Sequence, residues 1–93
     1  LSIPNAFSPD NDGVNENLII KGLAQFPDHQ LTIYSRWETV ILKESPYKND
    51  WSGEIRTYYS NSKGQNAPEG TYFYILELGN GQPPLKGFIY LKR

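Results

Sequence analysis

The sequence predicts an all-β domain, an immunoglobulin-like antiparallel β-sandwich of about seven strands. Three observations lead there. Seven tyrosines, two tryptophans and four phenylalanines, with many Ile, Leu and Thr, favour pleated, half-buried surfaces. Several short runs alternate between two side-chain sets with the period of a strand. Pro, Gly, Asn and Asp separate those runs at short intervals, and no stretch carries a long 3.6-residue period.

The elements follow in chain order. Leu1 to Ile3 reads as a short edge strand ended by Pro4, which has no N–H for a ladder. Ile3 to Asn17 is an Asp- and Asn-rich loop, and Asn17 to Lys21 is a short apolar run read as a strand. Gly22 to Gln30 holds Gly, Pro, Asp and the single histidine, His29, and reads as a connection. Leu31 to Ser35 and Thr39 to Glu44 alternate on either side of Arg36-Trp37-Glu38, a hairpin pattern that sets Val40 and Leu42 on one face. Ser45 to Gly53 is turn-rich, Glu54 to Tyr59 is a strand or an irregular edge, and Ser60 to Glu69 is the least patterned stretch. Gly70 to Leu78 is the strongest strand. Tyr72, Tyr74, Leu76 and Leu78 share one face, Phe73 and Ile75 the other, and apolar residues on both sides predict a central position. Asn80-Gly81 marks a hairpin turn before the last strand, Lys86 to Leu91.

The 93 residues suffice for one modest core and one domain. Formal net charge is -1 with mixed signs, so no basic footprint for nucleic acid appears. Cysteine is absent, which excludes disulfides and thiolate chemistry, and one histidine is too few for a His-based metal site or triad. No apolar run is long enough for membrane insertion as a helix. Methionine is absent, so the chain reads as a segment of something larger.

Three constellations carry candidate chemistry. In the first loop, Asp10, Asp12, the Val14 carbonyl, Asn15 and Glu16 are oxygen donors arranged around Gly13. That is the ligand type of a structural calcium site, although Ser8 and Ile19 break the EF-hand spacing. The alternative is a loop of Asx-turns in which Asp and Asn bond their own backbone. No cofactor is required in either case. The second constellation is aromatic: Trp37 and Trp51 with Tyr34, Tyr47, Tyr58 and Tyr59 form either core or an exposed platform for sugars or a protein partner. The third is the basic end, Lys86, Lys92 and Arg93, read as a solvated terminus or as a contact patch. Gly70-Thr71-Tyr72 resembles a tyrosine corner, with Tyr74 where related sandwiches place a core cysteine. The scattered carboxylates mark no cleft, so the expectation is a domain without catalytic residues.

Five stretches in order carry a resemblance: I-P-N-A-F-S-P-D-N-D-G-V-N-E, L-T-I-Y-S-R-W, N-D-W-S-G, P-E-G-T-Y-F-Y and K-G-F-I-Y-L-K-R. Together they resemble the gliding-motility-associated C-terminal domain of Bacteroidetes, the type B sorting domain of the type IX secretion system. Two positions depart from that pattern, with Glu38 and Ser52 where a glycine and an aspartate are usual. The resemblance implies a single C-terminal sorting domain over residues 1–93, and the terminal Lys92-Arg93 fits a true C-terminus. It implies passage of an upstream cargo through the periplasm to the cell surface or medium. It implies as partners the type IX apparatus and an outer-membrane protein. Trp37, Lys86, Tyr90, Lys92 and Arg93 are the candidate partner-binding residues, and Gly13, Trp51, Gly70, Tyr72 and Tyr74 the structural ones. The competing reading is an independent adhesion or carbohydrate-binding sandwich, stabilised by calcium.

Overall fold

A computed structural model describes residues 1–9, 16–57 and 64–93. Five strands form one sheet: β1 (Ala6–Phe7), β2 (Gln30–Ser35), β3 (Val40–Glu44), β4 (Gly70–Glu77) and β5 (Leu85–Leu91), in the order β1-β5-β4-β2-β3. One 3-10 turn, Leu23–Gln25, is the only helical element among the described residues. The all-β class is as the sequence predicts, and β4 takes the central position.

The strand count is five among the described residues, not about seven, and the reason is local. Leu1 to Ile3 and Asn17 to Lys21 meet only through an isolated Ser2–Lys21 bridge. The Leu18 amide donates to the Trp51 carbonyl at 2.9 Å, and the Ile20 amide to the Asn49 side chain, also at 2.9 Å. Successive inward-facing residues are thus held by a loop and a side chain rather than by a neighbouring ladder. Glu54 to Thr57 is likewise an irregular edge. It touches β3 through Arg56 N–H to the Ile41 carbonyl, and Asn66 through a bridge from Glu54. These segments form the second layer of the sandwich, held by individual bonds rather than by a ladder.

Two further departures matter. β1 lies inside the predicted loop and pairs in parallel with β5, Ala6 beside Tyr90 and Phe7 beside Leu91. In β3 the register shifts opposite Ile33 and Tyr34, so Val40 pairs with Tyr34 while Ile41 and Leu42 are both buried. The predicted alternation, with Val40 and Leu42 sharing a face, is broken by this bulge. The β2–β3 turn places Glu38 at φ 65°, a left-handed conformation that glycine adopts at lower cost.

The core lies between the sheet and the irregular layer. Leu31, Ile33, Leu42, Leu76, Ile89 and Leu91 project from the sheet, and Leu18, Ile20, Tyr47, Trp51 and Ala67 cover them. Trp51 is fully buried. Its ring tilts against Phe7 at 5.2 Å and meets Tyr72 edge-on at 6.3 Å, while its indole N–H donates to the Glu54 carbonyl at 2.7 Å. A buried tryptophan needs such an acceptor, and the loop supplies it.

Candidate recognition surface

The hydrogen bonds that fix the irregular layer set which residues remain free for contact. His29 is buried, accepts the Tyr47 amide on Nε2 at 2.8 Å, and has Nδ1 2.7 Å from the Phe26 carbonyl. Those partners require the neutral ring with its proton on Nδ1. The Tyr47 hydroxyl donates to the Leu18 carbonyl at 2.7 Å and accepts the Trp51 amide at 3.1 Å. Burial pushes that phenol well above the ordinary tyrosine pKa, so it stays protonated as the donor.

Arg56 ties the same layer to β3. Its guanidinium bonds Glu44 at 2.9 Å, Asp50 at 3.0 Å, the Asp50 carbonyl at 2.9 Å and Glu54. Burial alone would raise the Glu54 pKa, but hydrogen bonds from Ser52 and Arg56 outweigh it and hold the carboxyl below its ordinary value. The Arg56 guanidinium is correspondingly held charged, its own burial outweighed by Asp50, Glu44 and Glu54. Ser52, one of the two departures from the family pattern, gives Glu54 both its amide at 3.1 Å and its hydroxyl at 2.8 Å.

The candidate site residues fall into separate places. Asp10, Asp12, Gly13, Val14 and Asn15 lie outside the described residues. Glu16 is described, and its Oε1 is buried with no hydrogen-bond partner among the described residues. Trp51 lies in the core with Tyr47, so these two cannot serve an exposed platform; Tyr58 and Tyr59 lie outside the described residues. The Tyr72 hydroxyl donates to the Pro68 carbonyl at 2.6 Å, two residues before Gly70. Burial raises its pKa against the lowering effect of Arg93. Tyr74 packs over Gly87, its partner on β5, where an added Cβ would come within 2.6 Å of the phenol oxygen.

Trp37 stands out at the β2–β3 turn with 76 % of its surface exposed and Arg36 over its ring at 5.0 Å. Beside it runs a groove of about 560 Å³ whose lining includes Trp37, Arg36, Pro68, Glu69 and Tyr90. Two of the five candidate partner-binding residues, Trp37 and Tyr90, therefore meet in one concavity. Glu69 accepts the Tyr90 hydroxyl at 3.3 Å, and its charge raises the Tyr90 pKa. Lys86 is exposed toward the opposite end of β5. Arg93 is engaged in the fold: its guanidinium donates to the Ala67 and Gly53 carbonyls, each at 2.8 Å, and its amide to Glu69 at 2.8 Å. Lys92 uses its amide to bond the Phe7 carbonyl and keeps an exposed side chain.

One surface was missed by sequence reasoning. Tyr34, Phe73 and Phe88 stand in register across β2, β4 and β5 on the side of the sheet away from the core. Tyr34 and Phe73 stack with centroids 5.9 Å apart, and Phe88 is 56 % exposed. The signal was present in the two-sided apolar pattern of β4, which reads equally as burial on both faces or as one exposed aromatic face. Among the described residues, no group of three or more His, Cys, Asp or Glu is placed to hold a metal ion, and no helix is long and apolar enough to cross a membrane.

The family model described as CHU_C Type IX secretion signal domain matches residues 1–91. No curated protein and no solved structure matches the chain.

Proposed function

Since the chain belongs to the type IX secretion signal domain family and acts as a C-terminal sorting module for a cargo protein, we propose that the signal is read as a folded surface. In this reading an outer-membrane partner of the apparatus recognises the folded module, which carries no catalytic residues, after the cargo has reached the periplasm. Export of the cargo to the cell surface or medium follows from the family. The observation that carries the surface reading is Trp37, a large aromatic held 76 % exposed at a turn beside the groove it shares with Tyr90. Exposed aromatic anchors at the edge of a concavity are a common centre of protein recognition. A rigid β framework holds them at low entropic cost on binding.

The last strand has a place in this reading, though not as a linear tag. β5 contributes Ile89 and Leu91 to the core and is flanked by β1 and β4, so its removal unmakes the fold. Surface substitutions are therefore the cleaner test. A reporter with an export signal, fused ahead of this domain in a type IX-competent host, is expected to reach the medium or surface. Trp37→Ala is expected to retain the reporter in the periplasm while the purified domain melts normally. Retention of the wild-type fusion in the periplasm would overturn the sorting assignment. Normal export of the Trp37→Ala fusion would overturn the role of the turn.

The Asp- and Asn-rich loop is proposed to bind calcium structurally, supported by Glu16 Oε1, which is buried without a hydrogen-bond partner among the described residues. Calcium is then expected to raise the melting temperature, and Glu16→Gln to remove most of that rise. A calcium-independent melt would contradict the proposal.

A further inference from the structure

The outer face of the sheet is apolar at its centre and cationic at both flanks. Its middle row runs Val40, Tyr34, Phe73, Phe88 across β3, β2, β4 and β5. The next row runs Lys43, Thr32, Ile75, Lys86 in the same strand order. Four strands at the usual spacing set the two lysines about 14 Å apart. Val40, Tyr34, Phe73 and Ile75 are half-buried, while Phe88, Lys43 and Lys86 are exposed. Among the described residues, no second element packs on this face. Glu77 lies on it too, at the far end of β4 beside Gln30, and Lys92 continues it past β5.

We infer that this face is a docking surface for a protein whose own contact patch is apolar and bordered by carboxylates. The inference rests on the sorting reading above and names the chemistry of the partner. Three features select that occupant. The aromatic row offers little to a sugar: Phe73 stacks on Tyr34, and the neighbouring Val40, Ile75 and Phe88 side chains carry no hydrogen-bonding groups for hydroxyls. A second copy stacked about a twofold centred on the lysine row would bring Lys43 and Lys86 against the same lysines, a like-charge arrangement that disfavours self-association. An apolar centre with cationic flanks instead complements a patch of opposite rim charge, which steers encounter and fixes register. Phe88, the most exposed residue of the row and on β5 next to Lys86, is the anchor, and the lysines orient the partner.

Two measurements on the intact cargo in a type IX-competent cell test this. In the first, Lys43→Glu with Lys86→Glu is compared with Lys43→Gln and Lys86→Gln. Charge reversal is expected to lower the secreted fraction by about tenfold or more, and neutralisation by less, as like charges facing a carboxylate rim require. In the second, Phe88 is replaced by a photo-crosslinking phenylalanine analogue. Its adduct is expected on a component of the secretion apparatus, at an apolar patch bordered by Asp or Glu. Secretion unchanged by charge reversal would overturn the inference. So would an adduct to a second copy, to the cargo's own upstream domains, to lipid or to polysaccharide. Cargo lacking the whole domain is the control: if it too is secreted, the sorting reading fails. If only the domain-less cargo is retained, the sorting reading stands and the outer face is the wrong surface.

Discussion

The two faces of one sheet use the same strands for different ends. On the inner face Leu31, Ile33, Leu76, Ile89 and Leu91 are fully buried. On the outer face, one residue along in each strand, Phe88 is 56 % exposed and Tyr34 and Phe73 are half-buried. Residue chemistry scarcely distinguishes them, since both are aromatic and aliphatic. What differs is the cover. The inner face is roofed by Trp51, Tyr47, Leu18 and Ile20 on irregular backbone whose amides are tied down individually by Asn49, His29 and the Tyr47 hydroxyl. Alternation defines two faces, but the roof decides which becomes core, and the roof is made of polar bonds as much as apolar contact.

Substitutions can break that comparison. Trp51→Ala removes the largest roof side chain and is expected to cost about 3–5 kcal/mol, a large part of the stability of a domain this size. Phe88→Ala on the opposite face is expected to cost at most about 1 kcal/mol, the scale of a cross-strand pair. Denaturant unfolding of both measures the contrast, and equal losses would mean that the outer face is also core. Next in size is His29→Ala, which leaves the buried Tyr47 amide without its acceptor. A loss of about 1–3 kcal/mol is expected, with amide exchange at Tyr47 rising more than exchange in β4. Glu38→Gly acts in the other direction, relieving the left-handed turn beside Trp37. A gain of about 1 kcal/mol in unfolding free energy is expected from the strain released.

The smallest expected effect is a response to acid in the Arg56 cluster. Glu54 is held below its ordinary pKa by Ser52 and Arg56, so its charged form is stabilised by folding. That contribution is complete above the ordinary glutamate range and fades as pH falls through the lowered folded value. Unfolding free energy measured from neutral pH downwards should therefore decline less steeply in Glu54→Gln than in the wild type. Parallel profiles would remove Glu54 from the account of the roof.

Much of the sheet was legible in the residues. The hairpin around Arg36-Trp37-Glu38, the central place of β4 and the shared face of Ile89 and Leu91 all follow from strand periodicity and turn chemistry. The roof was not, because Leu18 and Ile20 alternate like a strand while their amides bond Trp51 and Asn49 instead of a ladder. β1 was hidden too. Two residues between Pro4 and Pro9 carry no period, and their parallel pairing with β5 depends on contacts more than 80 positions away. The β3 bulge falls in the same class, since Val40-Ile41-Leu42 is apolar throughout and carries no sign of which residue is the extra one. Of the candidate surface, the exposure of Trp37 was an open alternative in the sequence. The outer aromatic row was visible as a pattern but not as an exposed face. Arg93, with the chemistry of a contact residue, uses its guanidinium on backbone carbonyls of Gly53 and Ala67.

The division of labour between the two faces is tested most directly by the secreted fraction of one cargo carrying Phe73→Ser with Phe88→Ser, set beside the melting temperature of the same variant. The account predicts cargo held in the periplasm on a domain that still melts cooperatively within about 5–10 °C of the wild type, as a loss of 1–2 kcal/mol would allow. Full secretion of that variant would contradict it.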